Sequence, residues 1–156
     1  MLRRLALDDM DEAARVFRTS FDQALPTLRG LHTPDEDRAF FRARLFATCE
    51  LSGAFADGAM AGFIAFREGW IEQLYVLPDA RGQGIGTALL KIAQHAFDHL
   101  QLWTFQRNTN ARRFYEARGF ALVRETDGSG NEEKEPDALY LWTADGANHF
   151  PSPALP

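Results

Sequence analysis

The stretch that decides the fold is Arg81-Gly82-Gln83-Gly84-Ile85-Gly86. It follows Trp70-Ile71-Glu72-Gln73-Leu74-Tyr75-Val76-Leu77, whose apolar residues on both faces predict a strand in the interior of a sheet. A helix is predicted to follow, from about Gly84 to His99. Glycines let backbone N–H groups turn toward a ligand, and a helix N-terminus adds its positive dipole. With the charge of Arg81 at its mouth, the turn indicates a site for a phosphate or pyrophosphate.

Two familiar phosphate-binding motifs are excluded for this turn. A P-loop closes with Gly-Lys-Ser/Thr, whereas Gly86 is followed by Thr87-Ala88. A dinucleotide-binding fold has three spaced glycines after the first strand of a βαβ unit, which is not the setting here. On spacing alone, a tight strand-to-helix turn with a solvated Arg81 explains the segment as well as an anion site does.

The remaining pattern predicts a mixed α/β sheet, because runs of strands lie between the helices. A helix starting at Thr33-Pro34 is expected to carry Phe40, Phe41, Leu45 and Phe46 inward. The other predicted helices run from Asp8 or Asp9 to about Thr19 and over Thr109–Arg118, and the other strands are Leu2–Leu7, Glu50–Ala56, Ala59–Arg67, Gln101–Gln106, Phe120–Glu125 and Ala138–Thr143. Residues 1–146 are expected to form a single domain, and 147–156 a C-terminal tail.

Size and composition limit the classes of function. The 156 residues fit one domain, and 46% hydrophobic residues can fill its core. A net charge of −5 argues against a nucleic-acid partner and against an anionic membrane surface. Cys49 is the only cysteine, so no internal disulfide forms. With no signal peptide and no run of roughly 20 apolar residues, we expect a cytoplasmic protein.

A second motif follows the glycine turn. It reads Asn108-Thr109-Asn110-Ala111-Arg112-Arg113-Phe114-Tyr115-Glu116-Ala117-Arg118-Gly119-Phe120. Together with Val76–Gly86, it resembles the two acyl-CoA motifs of the GNAT N-acetyltransferase superfamily, in which Asn, Ala, Tyr and Gly-Phe recur at this spacing. The motifs span Trp70–Val123, about a third of the chain, and the strand order outside them also suits that family.

The resemblance implies a GNAT fold, with a mixed, mostly antiparallel sheet of about seven strands flanked by about four helices. Its sheet is splayed between strands 4 and 5, where the pantetheine arm of acetyl-CoA lies. By position, backbone groups of Leu74, Tyr75 and Val76 would pair with the pantetheine and thioester. The residues implied to hold the pyrophosphate are Arg81, Gly82, Gln83, Gly84, Ile85, Gly86 and Thr87. Asn108 would face the cofactor, and Tyr115 would sit near the thioester sulfur. A homodimer would be common for this fold, and no metal is expected.

Acetyl transfer to an amine requires a base, because an alkylammonium with a pKa of about 10.4 is mostly protonated at pH 7. Glu72 is the candidate, since it lies in a strand that looks buried, and burial would raise the pKa of its carboxyl. Some members of the superfamily that act on polyamines place a glutamate at the corresponding position, where it has this role, often through water. The alternative is a Glu72 near the strand edge that pairs with an arginine.

The departing thiolate needs a proton, and Tyr115 is the candidate acid because its phenol does not ionise at neutral pH. The alternative is an ordinary core tyrosine beside Phe114. The backbone N–H of Val76 is a candidate donor to the acyl oxygen.

Other candidates have simpler explanations. Cys49 is expected to be a structural thiol, and His95 and His99, predicted at i and i+4 on one helix, a solvated pair. The connection from Glu125 to Asp137 holds six acids against one lysine. It would attract a cationic amine if it borders the acceptor site, or it is a solvated turn.

The sequence therefore predicts an acetyl-CoA-dependent N-acetyltransferase that acts by direct attack on a primary amine of a small molecule. A protein lysine or N-terminal acetyltransferase is the alternative within enzymes. A non-catalytic acyl-CoA-binding domain and a nucleotide-phosphate binder are the alternatives from other classes.

Overall fold

A computed structural model describes residues 1–146 of the chain. The predicted tail, 147–156, lies outside the described residues. The strands are β1 Leu2–Arg4, β2 Glu50–Ala56, β3 Ala59–Arg67, β4 Trp70–Val76, β5 His99–Phe105, β6 Ala121–Thr126 and β7 Asp137–Thr143. The helices are α1 Met10–Ala24, α2 Pro34–Phe40, α3 Phe46–Thr48, α4 Ile85–Ala96 and α5 Thr109–Glu116. A π-helical turn, Phe41–Leu45, joins α2 to α3.

The seven strands form one sheet in the order β1-β2-β3-β4-β5-β7-β6. β4 and β5 pair in parallel, at Trp70 and Gln101, while β1–β2, β2–β3, β5–β7 and β6–β7 are antiparallel. Since α2, the π-helical turn and α3 are continuous, the helices form four segments. The predicted mixed, mostly antiparallel sheet with about four helices is confirmed. No helix within residues 1–146 has the length and apolarity needed to cross a membrane.

The described chain divides into two compact units. The first unit is Met1–Arg67 with Ile71–Ala93, and the second is Glu68–Trp70 with the described residues from Gln94 onward. The first unit therefore contains the predicted anion-binding turn, and the second contains the second sequence motif.

The first unit is built on the amphipathic helix α1. Its buried residues recur at helical spacing and pack with Phe41 and Leu45 of the π-helical turn and with Phe63 of β3. α1 extends to Ala24, beyond the predicted end near Thr19. The strands predicted at Glu50–Ala56 and Ala59–Arg67 are confirmed. Both residues of their connection, Asp57 and Gly58, have positive φ, as a tight hairpin turn requires.

The start of α2 is confirmed, but one of its predicted core residues is not. The Thr33 hydroxyl accepts from the N–H of Glu36, while the Glu36 carboxylate accepts from the N–H of Thr33. Phe41 and Leu45 are buried, whereas Phe40 is 47% exposed, so its predicted inward position is wrong. The π-helical turn breaks the 3.6-residue period from which that prediction was made.

The second unit consists of β5, β7, β6 and the helix α5. β7 pairs with β5 from His99–Thr143 to Phe105–Asp137 and with β6 on its other side. The prediction that His95 and His99 share one helix is wrong, because α4 ends at Ala96 and His99 begins β5. Gly119 ends the turn after α5 with a φ of 91°, a conformation that glycine adopts readily after a helix C-terminus.

Candidate functional site

Residues Ile71–Val76 of β4 and the turn after them lie in the first unit and carry the predicted contacts to pantetheine and pyrophosphate. The end of β4 runs close against β3 at Gly62, where a Cβ would lie 2.8 Å from the carbonyl oxygen of Tyr75 and 3.2 Å from Cγ2 of Val76. The N–H of Leu77 donates to the carbonyl of Ala61 at 2.8 Å. Only a glycine at position 62 permits this approach.

The glycine turn has the backbone that an anion site requires. Gly82 and Gly84 have φ values of 81° and 80°, and a Cβ at either would meet no described atom within 4 Å. The helix α4 begins at Ile85, directly after the turn. The first N–H groups of a helix have no intrahelical acceptor, and alternating left-handed residues turn neighbouring N–H groups toward one point. The turn thus has open space around both glycines and lies at the positive end of a helix.

Two polar side chains of α1 contact the segment Leu74–Thr87, which we name the donor-binding segment after its predicted contacts to acetyl-CoA. The Ser20 hydroxyl donates to the carbonyl oxygen of Val76 at 3.2 Å. Nη1 of Arg81 donates to Oε1 of Gln23 at 3.1 Å. Sequence reasoning missed both residues, whose one signal is that they are polar and three positions apart on one helix face. The side chain of Arg81 is therefore oriented from α1 rather than simply solvated.

Glu72 lies in β4, but not in buried surroundings. Its side chain is 36% exposed, and Oε1 accepts from Nη2 of Arg67 at 2.7 Å and from Nε at 2.8 Å. The expectation that Glu72 is buried is wrong, because the strand alternation from which it was made carries no information on Arg67 at the end of β3. The arginine pairing that sequence analysis held as the alternative is present. The carboxylate is open to water and held by a fork of two donors.

In the second unit, Asn108 and Tyr115 mark the two ends of α5. Oδ1 of Asn108 accepts from the N–H of Ala111 at 3.2 Å, so Asn108 is the N-cap of the helix. Tyr115 is 7% exposed and lies edge-on between Phe114 and Phe120, with ring centroids 5.2 and 5.3 Å away. Its ring is thus fixed by aromatic packing on both sides.

A buried polar network fixes α5 on β7. The hydroxyl of Tyr140, whose side chain is fully buried, donates to Oε2 of Glu116 at 2.6 Å and accepts from Nε of Arg112 at 2.9 Å. Nη2 of Arg112 also donates to Glu125 at 3.0 Å. Burial, together with the hydrogen bond to Glu116, raises the pKa of the Tyr140 phenol. Because Arg112 and Glu116 are one helical turn apart, the network sets both the height and the rotation of the helix.

The acidic connection between β6 and β7 is folded upon itself. Asn131 donates from Nδ2 to the carbonyl of Glu135 and to the carboxylate of Asp137, and its Oδ1 accepts from the N–H of Glu135. Glu135 pairs with Arg107 at 2.6 Å, and Lys134 donates to the carbonyl of Ser129 at 2.9 Å. One of its acids, Glu135, is thus paired with an arginine outside the connection, which makes the connection a weaker attractant for a cationic amine than its composition indicates.

The structure gives no sign of a reactive role for Cys49 or of a metal site among the described residues. Cys49 packs against the core of the first unit, and burial raises the pKa of its thiol, which disfavours the reactive thiolate. Within residues 1–146, no three His, Cys, Asp or Glu side chains come together as a metal site would require.

An arginine of α1 forms an ion pair with the segment that follows the helix. Arg18 donates to both carboxylate oxygens of buried Asp37, at 2.7 and 2.8 Å, and to Asp22 at 3.1 Å. The hydrogen bonds to Asp37 raise the pKa of the Arg18 guanidinium above its ordinary value. This arrangement joins α1 to α2.

Comparison with known proteins identifies the family of the chain from its sequence. The family model described as "Acetyltransferase (GNAT) family" matches residues 10–120. An uncharacterized N-acetyltransferase of Archaeoglobus fulgidus is 31% identical, over 84% of this chain and 99% of its own length. The peptidyl-lysine N-acetyltransferase YiaC of Escherichia coli is 40% identical, but that match spans only 43% of this chain and 47% of YiaC.

Solved structures share the fold. The PaiA N-acetyltransferase of Thermoplasma acidophilum, solved in complex with coenzyme A, has a TM-score of 0.68 over 92% of this chain and 98% of its own. Its sequence identity of 22% is low. The likeness therefore shows a common architecture and does not by itself identify an acceptor.

Proposed function

Because the chain belongs to the GNAT family of acetyltransferases, we propose that it transfers an acetyl group from acetyl-CoA to a primary amine of a small molecule by direct attack. The observation that carries the donor half of this proposal is the glycine turn. Gly82 and Gly84 open the backbone at the start of α4, and Arg81 stands beside them. These features fit a pyrophosphate, which offers two negative charges and several acceptor oxygens to such a site.

The residues of the donor-binding segment would hold the cofactor along its length. Backbone groups of Leu74, Tyr75 and Val76 are proposed to pair with the pantetheine arm and the thioester. N–H groups from Arg81 to Gly86, with the Thr87 hydroxyl, are proposed to hold the pyrophosphate, and Asn108 to contact the cofactor from α5. The close approach of β3 to β4 at Gly62 supports this assignment, since it fixes the backbone on which the pantetheine contacts depend.

The chemical step needs two proton transfers. The amine nitrogen forms a bond to the acyl carbon, the carbon–sulfur bond breaks, and the amine loses a proton while the thiolate gains one. We assign the acid role to Tyr115, whose ring is fixed by Phe114 and Phe120. We assign the base role to Glu72, acting through water because its carboxylate is open to solvent and already paired with Arg67.

A peptidyl lysine is the second candidate acceptor. The likeness to YiaC, a peptidyl-lysine N-acetyltransferase, favours it, although it covers less than half of either chain. A lysine side chain and a small alkylamine present the same nucleophile, so the same catalytic groups would serve both.

The proposal is tested by following free thiol from acetyl-CoA in the presence of polyamines, aminoglycosides, amino acids and lysine-containing peptides. Rapid thiol release with a small amine, and an acetylated product in the mass spectrum, are expected. Turnover with peptides alone would replace the small molecule with a peptidyl lysine. Binding of acetyl-CoA without thiol release from any amine would indicate a binding module, and calorimetry showing tighter binding of ATP than of acetyl-CoA would indicate a nucleotide binder.

A further inference from the structure

The peptide that joins Val76 to Leu77 is held on both sides within the first unit. Its carbonyl oxygen accepts from the Ser20 hydroxyl on α1 at 3.2 Å, and its N–H donates to the carbonyl of Ala61 on β3 at 2.8 Å. A trans peptide is planar, and its C=O and N–H point in opposite directions. The two hydrogen bonds therefore fix the orientation of this plane at the end of β4.

The preceding peptide determines where the N–H of Val76 points. The carbonyl oxygen of Tyr75 lies beside Gly62 on β3, at 2.8 Å from the position of an added Cβ. Since the N–H of Val76 is on the opposite side of the same peptide, it points away from β3. This N–H is the proposed donor to the acyl oxygen, so its direction depends on the two planes that Ser20, Ala61 and Gly62 define.

Ser20 is placed for this contact rather than for packing alone. It is 1% exposed, so its hydroxyl is shielded from water. A serine in a helix commonly bonds a carbonyl of its own helix, but this hydroxyl bonds a residue 56 positions away. Gln23, one turn further along α1, holds Arg81 of the same donor-binding segment. One face of α1 thus contacts the segment at two points, Val76 and Arg81.

We propose that Ser20 is a positioning residue for acetyl transfer. Its hydroxyl holds the Val76–Leu77 peptide so that the N–H of Val76 stays directed at the oxygen that becomes negative as the amine attacks. The inference rests on the proposed function, because it takes Val76 as the donor to the acyl oxygen. Ser20 acts through Val76, and its contribution belongs to the acyl group rather than to the rest of the cofactor.

The test is Ser20→Ala, because alanine is a better helix former and leaves α1 intact. In the wild-type protein, we expect the N–H of Val76 to lower the carbonyl stretching frequency of bound ¹³C-acetyl-CoA. We expect this frequency to return toward its value in water in the variant, and kcat to fall by about ten- to a hundredfold. The dissociation constant of CoA, which has no acyl carbonyl, is expected to be unchanged.

Thr48→Ala is the matched control. It removes another hydroxyl of the first unit, which donates to the carbonyl of Arg44 at 2.9 Å and makes no bond to β4. The carbonyl frequency and kcat should be those of the wild-type protein, while the melting temperatures of both variants show that each is folded.

An unchanged carbonyl frequency and kcat in folded Ser20→Ala would overturn the inference and leave the proposed function standing. An equal loss of CoA affinity and kcat would also overturn it, because Ser20 would then support the whole segment rather than one N–H. A wild-type protein that binds no acetyl-CoA would contradict the proposed function itself, and the inference with it.

Discussion

Tyr115 on α5 and Tyr140 on β7 have different expected roles, one catalytic and one structural. Tyr115 is the proposed acid, whereas Tyr140 joins Arg112 and Glu116 in a structural network. We expect Tyr115→Phe to lower kcat by about a hundredfold, the lower end of the effect of a general acid, with CoA affinity retained. Steady-state kinetics and calorimetric titration with CoA measure the two quantities.

Tyr140→Phe is the control for removal of a phenolic oxygen. It leaves Arg112 and Glu116 without their shared partner, so the free energy of unfolding should fall by about 1–3 kcal/mol, while kcat in the folded protein is retained. Urea unfolding of both variants separates the roles. If Tyr115→Phe loses stability but no activity, then Tyr115 is a core tyrosine and the assignment of the acid is wrong.

The pair of Glu72 and Arg67 allows the base role to be separated from an ion-pair role. If Glu72 accepts the amine proton through water, Glu72→Gln should lower kcat by about a hundredfold. Arg67→Gln removes the same ion pair and leaves the carboxylate, so its kcat should stay within about threefold of the wild-type value. Steady-state kinetics of the two folded variants measure the difference.

Equal effects of the two substitutions would contradict the base role. They would show that the contact of 2.7 Å between Arg67 and Glu72 serves the structure of the strands and not the proton transfer.

At the scale of an element, the glycine turn before α4 can be compared with the hairpin turn between β2 and β3. Gly84 and Gly58 have φ values of 80° and 81°, and a Cβ at either meets no described atom within 4 Å. Alanine at either position should therefore destabilise the fold by a similar amount, about 1–2 kcal/mol. Only Gly84→Ala should weaken CoA binding, by about tenfold or more, because only that turn presents N–H groups to a pyrophosphate. Calorimetry on both variants measures the difference, and an equal loss of CoA affinity would contradict the placement of the pyrophosphate.

The sequence predicts elements well where local chemistry sets their ends. The strands β2 and β3 are bounded by the Asp57-Gly58 turn, and α2 by the Thr33 cap, and each was predicted to the residue at that boundary. The sequence predicts element ends and burial poorly where tertiary packing overrides the local pattern. The π-helical turn follows Phe40, whose side chain is exposed. The helix α4 ends at Ala96, and His99 begins the strand β5 instead of continuing the helix.

In the candidate site too, the sequence predicts the features that depend on local residue type and misses the contacts between elements. The glycine turn follows from the residue type, since positive φ at Gly82 and Gly84 is what glycine permits. The pairing of Arg67 with Glu72 and the contact of Ser20 with Val76 join residues from different elements. Such contacts depend on how helices and strands pack, which a single sequence does not encode in any local pattern.

At the scale of the whole molecule, acid should destabilise the protein through several carboxylates at once. The hydrogen bond from Arg3 lowers the pKa of Asp9, and that from Arg42 lowers the pKa of Asp11. The backbone N–H of Thr33 lowers the pKa of Glu36. A carboxyl group whose pKa is lower in the folded than in the unfolded state stabilises the fold above its unfolded pKa, and this contribution is lost as the pH falls through the folded pKa.

The free energy of unfolding should accordingly decrease as the pH falls from about 5 toward 2. Urea unfolding across that range measures the slope. The double variant Asp9→Asn, Asp11→Asn should show a shallower slope and a lower stability at neutral pH. A slope identical to that of the wild-type protein would assign the acid sensitivity to other groups.

The connection between β6 and β7 also has a meaning for how this protein can be altered. Gly128 lies so close to the backbone of Glu135 that a Cβ would approach it within 2.4 Å, and Asn131 bonds both Glu135 and Asp137. Residues 126–137 are therefore interdependent, and a change at one of them alters the shape that the others require. Transplanting this segment between related enzymes should succeed when it is exchanged whole and fail when single positions are exchanged. Residues 126–137 should therefore change together in evolution, as one structural unit, rather than one position at a time.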